Sequence, residues 1–214
     1  MTDVWSERAE AFRASPTHRE GSDLDLVVEW CEPGEGVQAL DVATGGGHVA
    51  RRLREAGCDV VSVDPAPGMQ ATVVAPAEHL PFADASFDVV ACRIAAHHFD
   101  DVRAAVVEMT RVSRDRVVVQ DNVFLGEHVE EAENLRDPTH VRCYSEDEWR
   151  ELFAAAGLDV EAERLFERTV DVEPWLARVE TPVDDAARVR ELLADRIEDG
   201  RVALRSIVLK GRKR

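Results

Sequence analysis

Apolar and polar positions along the chain alternate between two rhythms. Val37 to Val42, Asp59 to Val63, Phe87 to Cys92 and Arg116 to Gln120 are short, nearly continuous apolar runs. Runs of that length and texture are expected of strands buried on both faces. Between them apolar residues return at helical spacing: Val49, Ala50 and Leu53, then Val102, Ala105, Val106, Met109 and Val112, then Trp149, Leu152, Phe153 and Ala156. Upstream, Val4 to Phe12 predicts a short helix with Trp5, Ala9 and Phe12 on one side, Arg13 to Gly21 a polar loop, and Ser22 a cap for a helix reaching about Trp30. Asp100 or Asp101 caps the Val102 helix, and Ser145 opens the Trp149 helix as a capping box with Glu148. Downstream, Val160 to Val172 and Ala203 to Leu209 alternate as strands do, antiparallel to each other if adjacent, with a helix from about Asp184 to Ile197 between them. The polar stretch from Phe124 to Val141 has the length of a lid.

The first run ends in Asp41, Val42, Ala43 and Thr44, followed by Gly45, Gly46 and Gly47, and a helix begins at once. Glycines there let the backbone turn sharply and approach a ligand, while the helix N-terminus offers unpaired N–H groups. Gly57 closes that helix. The second run ends in Asp64, 19 residues after Gly45, the spacing of a ribose-binding carboxylate in a nucleotide-binding βαβ unit. Strands alternating with helices predict an α/β, Rossmann-like fold in one domain, residues 1–214: a mostly parallel sheet with helices on both faces and the last strand antiparallel. Ligands of such sheets bind at the carboxyl ends of the strands, where Gly45, Asp64, the stretch from Arg93 to His98, and Asp121 with Asn122 fall.

One unit is too short. If Thr72 to Val74 is a strand, only Pro65 to Ala71 joins it to Asp64, whereas a parallel crossover needs about 10 residues or more. Pro65, Pro67 and Gly68 oppose a helix there as well. The edge βα unit after Asp64 is therefore expected to lack its helix, with the edge strand a stub or absent.

Charge changes the picture of partners. The chain has 43 acidic and 26 basic residues, a net charge of −17, and only Lys210 and Lys213 among the bases are not arginine. Such a surface repels phosphate backbones and anionic membranes, so neither nucleic acid nor membrane is an expected partner. It suits concentrated salt, where self-repulsion is screened. Cys31, Cys58, Cys92 and Cys143 form no C-x-x-C pair and read as reduced, buried thiols. The N-terminus lacks a signal-peptide pattern and no apolar run has membrane-spanning length, which predicts a cytoplasmic protein. His97, His98 and Asp100 have no fixed ligand spacing, so no metal site is expected.

The motifs from Leu40 to His48, Val63-Asp64-Pro65, Ala77 to Phe82, Ser86 to Val90, Ala95 to Phe99 and Leu135 to Arg142 occur in an order that resembles class I S-adenosylmethionine-dependent methyltransferases. The likeness is strongest to the small-molecule branch that includes the ubiquinone and menaquinone C-methyltransferases, and it covers nearly the whole chain. It implies that Asp41, Ala43, Thr44, Gly45 and Gly47 hold the amino-acid end of S-adenosyl-L-methionine. Asp64, with Pro65 beside it, takes the ribose hydroxyls, Met69 packs near the adenine, and Ala77 and Glu78 edge it. Arg93 lies beside the sulfonium, and His18 approaches cofactor or substrate from the entry loop.

The activity so implied is methyl transfer to a small molecule by a monomer or homodimer. Should the acceptor have to lose a proton, His98 is the first candidate base and His97 the second. Two other readings fit parts of the pattern. Gly45-x-Gly47-x-x-Ala50 with Asp64 also suits a nicotinamide-dependent oxidoreductase, and a non-catalytic S-adenosylmethionine-binding protein needs no further residue.

Overall fold

A computed structural model describes residues 4–214. Helices α1 (Val4–Ala14), α2 (Pro16–Arg19) and α3 (Ser22–Trp30) precede the first strand, β1 (Gln38–Val42). Then come α4 (His48–Glu55), β2 (Asp59–Asp64), β3 (Val73–Val74), β4 (Phe87–Arg93), α5 (Val102–Val112) and β5 (Ser113–Asn122). The remainder is α6 (Glu127–Arg136), α7 (Glu146–Ala155), β6 (Leu158–Asp171), α8 (Val172–Ala177), α9 (Val183–Leu192), β7 (Ile197–Glu198) and β8 (Arg201–Lys213).

The strands form one sheet in the order β3-β2-β1-β4-β5-β8-β6, with β7 paired to β8. Pairs from β3 to β5 are parallel, and β8 runs antiparallel to both β5 and β6. The expected mostly parallel sheet with an antiparallel last strand is therefore present. Its two faces are both covered, as parallel sheets require. Leu40, Val42, Val90, Val117 and Val119 pack against α5 and α7 through Val106, Met109, Trp149 and Phe153. Ala39, Val89, Ala91 and Val118 pack against α3 and α4 through Leu24, Val27, Val49 and Leu53.

The short edge unit is also as expected. Between Asp64 and β3 there is only one 3-10 turn, Pro67–Met69, and β3 itself is two residues long. Several helix ends follow their local signals. Asp101 caps α5 by accepting from the Ala104 N–H, and Ser145 with Glu148 forms the full capping box of α7.

Other local expectations fail. Ser22 is the first helical residue of α3, not its cap; Gly21 holds the cap position and no side chain caps it. The polar entry loop contains the one-turn helix α2. The helix expected to reach Ile197 ends at Leu192, and α8 was not foreseen. The lid-length stretch contains α6, whose Val129 and Ala132 pack with Trp175, Leu176, Val189 and Leu193 in a further apolar cluster. No helix among the described residues is long and apolar enough to cross a membrane. All four cysteines are free and buried.

Candidate functional site

A cavity of about 220 Å³ opens at the carboxyl ends of β1, β2 and β4. The glycine turn forms its floor. Asp41 is 2% exposed at the end of β1, and its Oδ2 accepts hydrogen bonds from the Thr44 hydroxyl and from the Ala50 N–H at 3.0 Å. Burial pushes its pKa up to about 6, against the pull of those two hydrogen bonds. A buried carboxylate in that condition favours a cation beside it. Asp64 Oδ2 accepts the Gly45 N–H at 2.9 Å and Oδ1 the Ala66 N–H at 3.0 Å, which fixes the acid at the cavity wall.

The wall carries backbone strain. Ala43 and Ile94, each the first residue past its strand, have φ of +53° and +52° and line the cavity. Non-glycine residues in that region cost free energy that the surrounding fold must supply. Gly45 lines the cavity with φ +50°, but Gly47 does not reach it; with φ +75° it is the N-cap of α4. Gly46 lines the cavity in its place. A Cβ on Gly46 would stand 2.9 Å from the Phe12 carbonyl oxygen and 2.7 Å from His48 Nε2. Gly46 thus lies on the cavity wall between Gly45 and the N-cap Gly47, and close packing of α1, not turn conformation alone, demands its missing side chain.

Helix α1 closes the mouth. Trp5 and Phe12 line the cavity and pack around Ala9, Ala66 and Met69. The Ser6 hydroxyl accepts the Gly68 N–H at 2.7 Å, and His48 Nε2 lies 3.1 Å from the Phe12 carbonyl. Pro65, Met69, Ala77 and Glu78 line the cavity as expected. Phe12, Gly46 and His48 were not foreseen as site residues, although the aromatic side of α1 was a visible signal.

Arg93 also lines the cavity, but its guanidinium is engaged elsewhere. Nε and Nη2 donate to Asp23 Oδ2 at 2.9 and 2.6 Å, and Nη1 donates to the His18 carbonyl at 2.9 Å. It pins the strap from His18 to Asp23 over the strand ends. The His18 ring lines the cavity beside Phe12, at a centroid distance of 5.1 Å, and Nδ1 lies 2.8 Å from the Ser15 hydroxyl. Burial holds its pKa well below the usual value, and Arg178 and Arg93 reinforce this.

The two adjacent histidines part company. A 3-10 turn, Ala96–His98, turns His97 inward, where its Nδ1 meets Asp121 Oδ1 at 2.5 Å and its N–H donates to Asp121 Oδ2. Burial alone would lower its pKa, but the Asp121 carboxylate overrides this and raises it. His97 does not line the cavity; its ring is buried against Asp121 instead. His98 does line it. Its Nδ1–H donates to the Thr139 carbonyl at 2.9 Å, leaving Nε2 as the bare nitrogen. Burial first and His97 second push its pKa down, so the ring is neutral at pH 7. Thr139 is held in turn by Asp137, and Asp137 by Arg8 at 3.1 Å. Nearby, Glu130 Oε1 lies 2.7 Å from His140 Nε2 and accepts the Cys143 N–H at 2.9 Å. These contacts tie the stretch after α6 to its helix.

A doubly wound sheet in this strand order, with an antiparallel strand near one edge and a cavity at the first glycine turn, defines a class I methyltransferase fold. Comparison with known proteins agrees. The Methyltransferase domain family model matches residues 40–119. The uncharacterised methyltransferase YcgJ of Bacillus subtilis is 33% identical over 203 residues, covering 84% of this chain and 80% of the relative. Its crystal structure superposes with a TM-score of 0.82 at 28% identity, over 90% of this chain and 98% of that one. The demethylmenaquinone methyltransferase of Renibacterium salmoninarum is 33% identical over 99 residues, 42% of each chain. The chain belongs to the class I methyltransferase family.

Proposed function

We propose that this protein transfers a methyl group from S-adenosyl-L-methionine to a small-molecule acceptor. The observation that carries the reading is the cavity wall itself, where buried Asp41, the side-chain-free Gly45 and Gly46, and Asp64 face one space. The residues fit the cofactor. Asp41 suits the ammonium of its amino-acid end, Thr44 with the glycine turn its carboxylate, and Asp64 with Pro65 its ribose hydroxyls. Met69, Ala77 and Glu78 flank the position for the adenine. When bound, the cofactor supplies an electrophilic methyl group on a positively charged sulfur.

What the chain contributes is alignment and exclusion of water. Trp5, Phe12 and the His18 strap cover the site. Arg93 acts by holding that strap. His98 lines the cavity as a neutral ring that burial makes a weak base, and it would be the group placed to take a proton from an acceptor that must lose one. The test is transfer of radiolabelled methyl from S-adenosyl-L-methionine to a panel of quinols, phenols, amines and carbon acids. Labelled product from one class, dependent on the protein, is expected. Cofactor binding with no product across acceptors of every class would favour a non-catalytic binding protein.

A further inference from the structure

A second cleft, of about 370 Å³, lies on the other side of the strap. The start of α3 forms one wall, the end of β6 with α8 the other, and Arg168 and Arg178 both line it. It backs onto the first cavity: the strap from His18 to Asp23, pinned by Arg93, separates the two.

Arg168 stands apart from the arginines around it. Acids outnumber bases 43 to 26, and nearby arginines have carboxylate partners, Arg201 with Asp171 and Arg205 with Glu146 and Glu167. Arg168 has none at ion-pair distance among the described residues. Its single hydrogen-bond partner there is Asn122 Oδ1, at 3.3 Å, and its Nε–H is buried without an acceptor. Burial lowers its pKa, and burial likewise lowers that of Arg178 to about 10, reinforced by Arg136 and Arg168. The acids on the rim are used or turned out: Asp23 is held by Arg93, Glu167 by Arg205 and Asp171 by Arg201, while Glu20 is exposed. Thr169, Ser22 and Ser206 add polar lining. Two crowded guanidinium groups, one with a buried unsatisfied donor, have the chemistry of a site for a carboxylate or phosphate.

We propose that this cleft is an anion-binding subsite, with Arg168 and Arg178 as its cations, that takes a small carboxylate or phosphate. Binding of the anion does not rest on the function proposed above. Diffuse attraction cannot mimic it, because the surface as a whole repels anions.

The test is a titration of the full chain with inorganic phosphate and, separately, benzoate, followed by the Nε–H resonance of Arg168 in ¹⁵N-arginine-labelled protein. A saturable shift is expected with at least one anion; a response to phosphate alone identifies a phosphoryl group and to benzoate alone a carboxylate. Arg168→Gln and Arg178→Gln should each weaken that binding by about tenfold or more, with binding of S-adenosylhomocysteine unchanged. The unliganded Arg168→Gln protein should melt no lower than the parent, since the change removes a desolvated charge held for a ligand. No saturable shift with either anion, or equal affinity in both variants, would overturn the proposal. Anion binding without S-adenosylhomocysteine binding would instead overturn the methyl-transfer reading and leave the subsite standing.

Discussion

On the proposed function, Asp41 should set the pH dependence of cofactor binding. Its folded pKa of about 6 lies above the ordinary 3.8 of an aspartate, so the acid form is the one that folding favours. That contribution is present at low pH and is lost as pH rises from about 4 through 6. A bound ammonium needs the ionised form, so binding below pH 6 must expel a proton. The affinity for S-adenosylhomocysteine should therefore fall as pH drops from 7.5 to 5, by calorimetry, and Asp41→Asn should abolish most of that slope. The buried His97–Asp121 pair has two limbs. The raised pKa of His97 gives stability that is full below 6.5 and lost as pH rises through the folded value. The lowered pKa of Asp121 gives stability present above 3.8 and lost as pH falls through the folded value. The melting-temperature gap between the parent and Asp121→Asn should be widest between those limits; a gap independent of pH would contradict the pairing. Gly46→Ala should cost about 1–3 kcal/mol in urea unfolding, because the added Cβ meets backbone, the Phe12 carbonyl, that can yield only if α1 moves.

At the scale of elements, the shortened edge defines where the sheet tolerates change. Val63 of β2 is fully buried, whereas Val74 of β3 is 55% exposed. Val63→Ala should cost about 2 kcal/mol or more and Val74→Ala about 0.5 or less; similar losses would mean that β3 is a structural strand after all. What the sequence revealed follows the same division. Helix α4, its glycine stop, the α7 capping box and the missing crossover rest on neighbours within a few residues, and each was legible. Arg93 was not, because its partner Asp23 lies 70 residues away. Nor was the split between His97 and His98, since a single 3-10 turn decides which ring meets Asp121 and which faces the cavity. Gly46 was passed over because its need comes from α1, not from its own turn. Ser22 misled because Gly21 before it already supplies the cap position.

For the whole molecule, charge is the dominant feature. Many arginines make exposed ion pairs, such as Arg190 with Glu173 and Arg188 with Glu131, and each adds little. Salt weakens those pairs, but it also screens the excess of carboxylates over about 3 Å at 1 M. With a net charge of −17 the second effect should win, and the melting temperature should rise from low to molar NaCl; a flat or falling curve would reject adaptation to salt without touching the site.

The central claim is that the strand-end cavity holds S-adenosyl-L-methionine through Asp64 and the glycine turn. Isothermal titration of S-adenosylhomocysteine into the parent protein and into Asp64→Ala, with NAD as control, tests it most directly. Saturable one-to-one binding to the parent, weaker by about 1.5–3 kcal/mol in the variant, and no heat from NAD are the predicted results. No saturable binding of S-adenosylhomocysteine, equal affinity in the variant, or preference for NAD would contradict it.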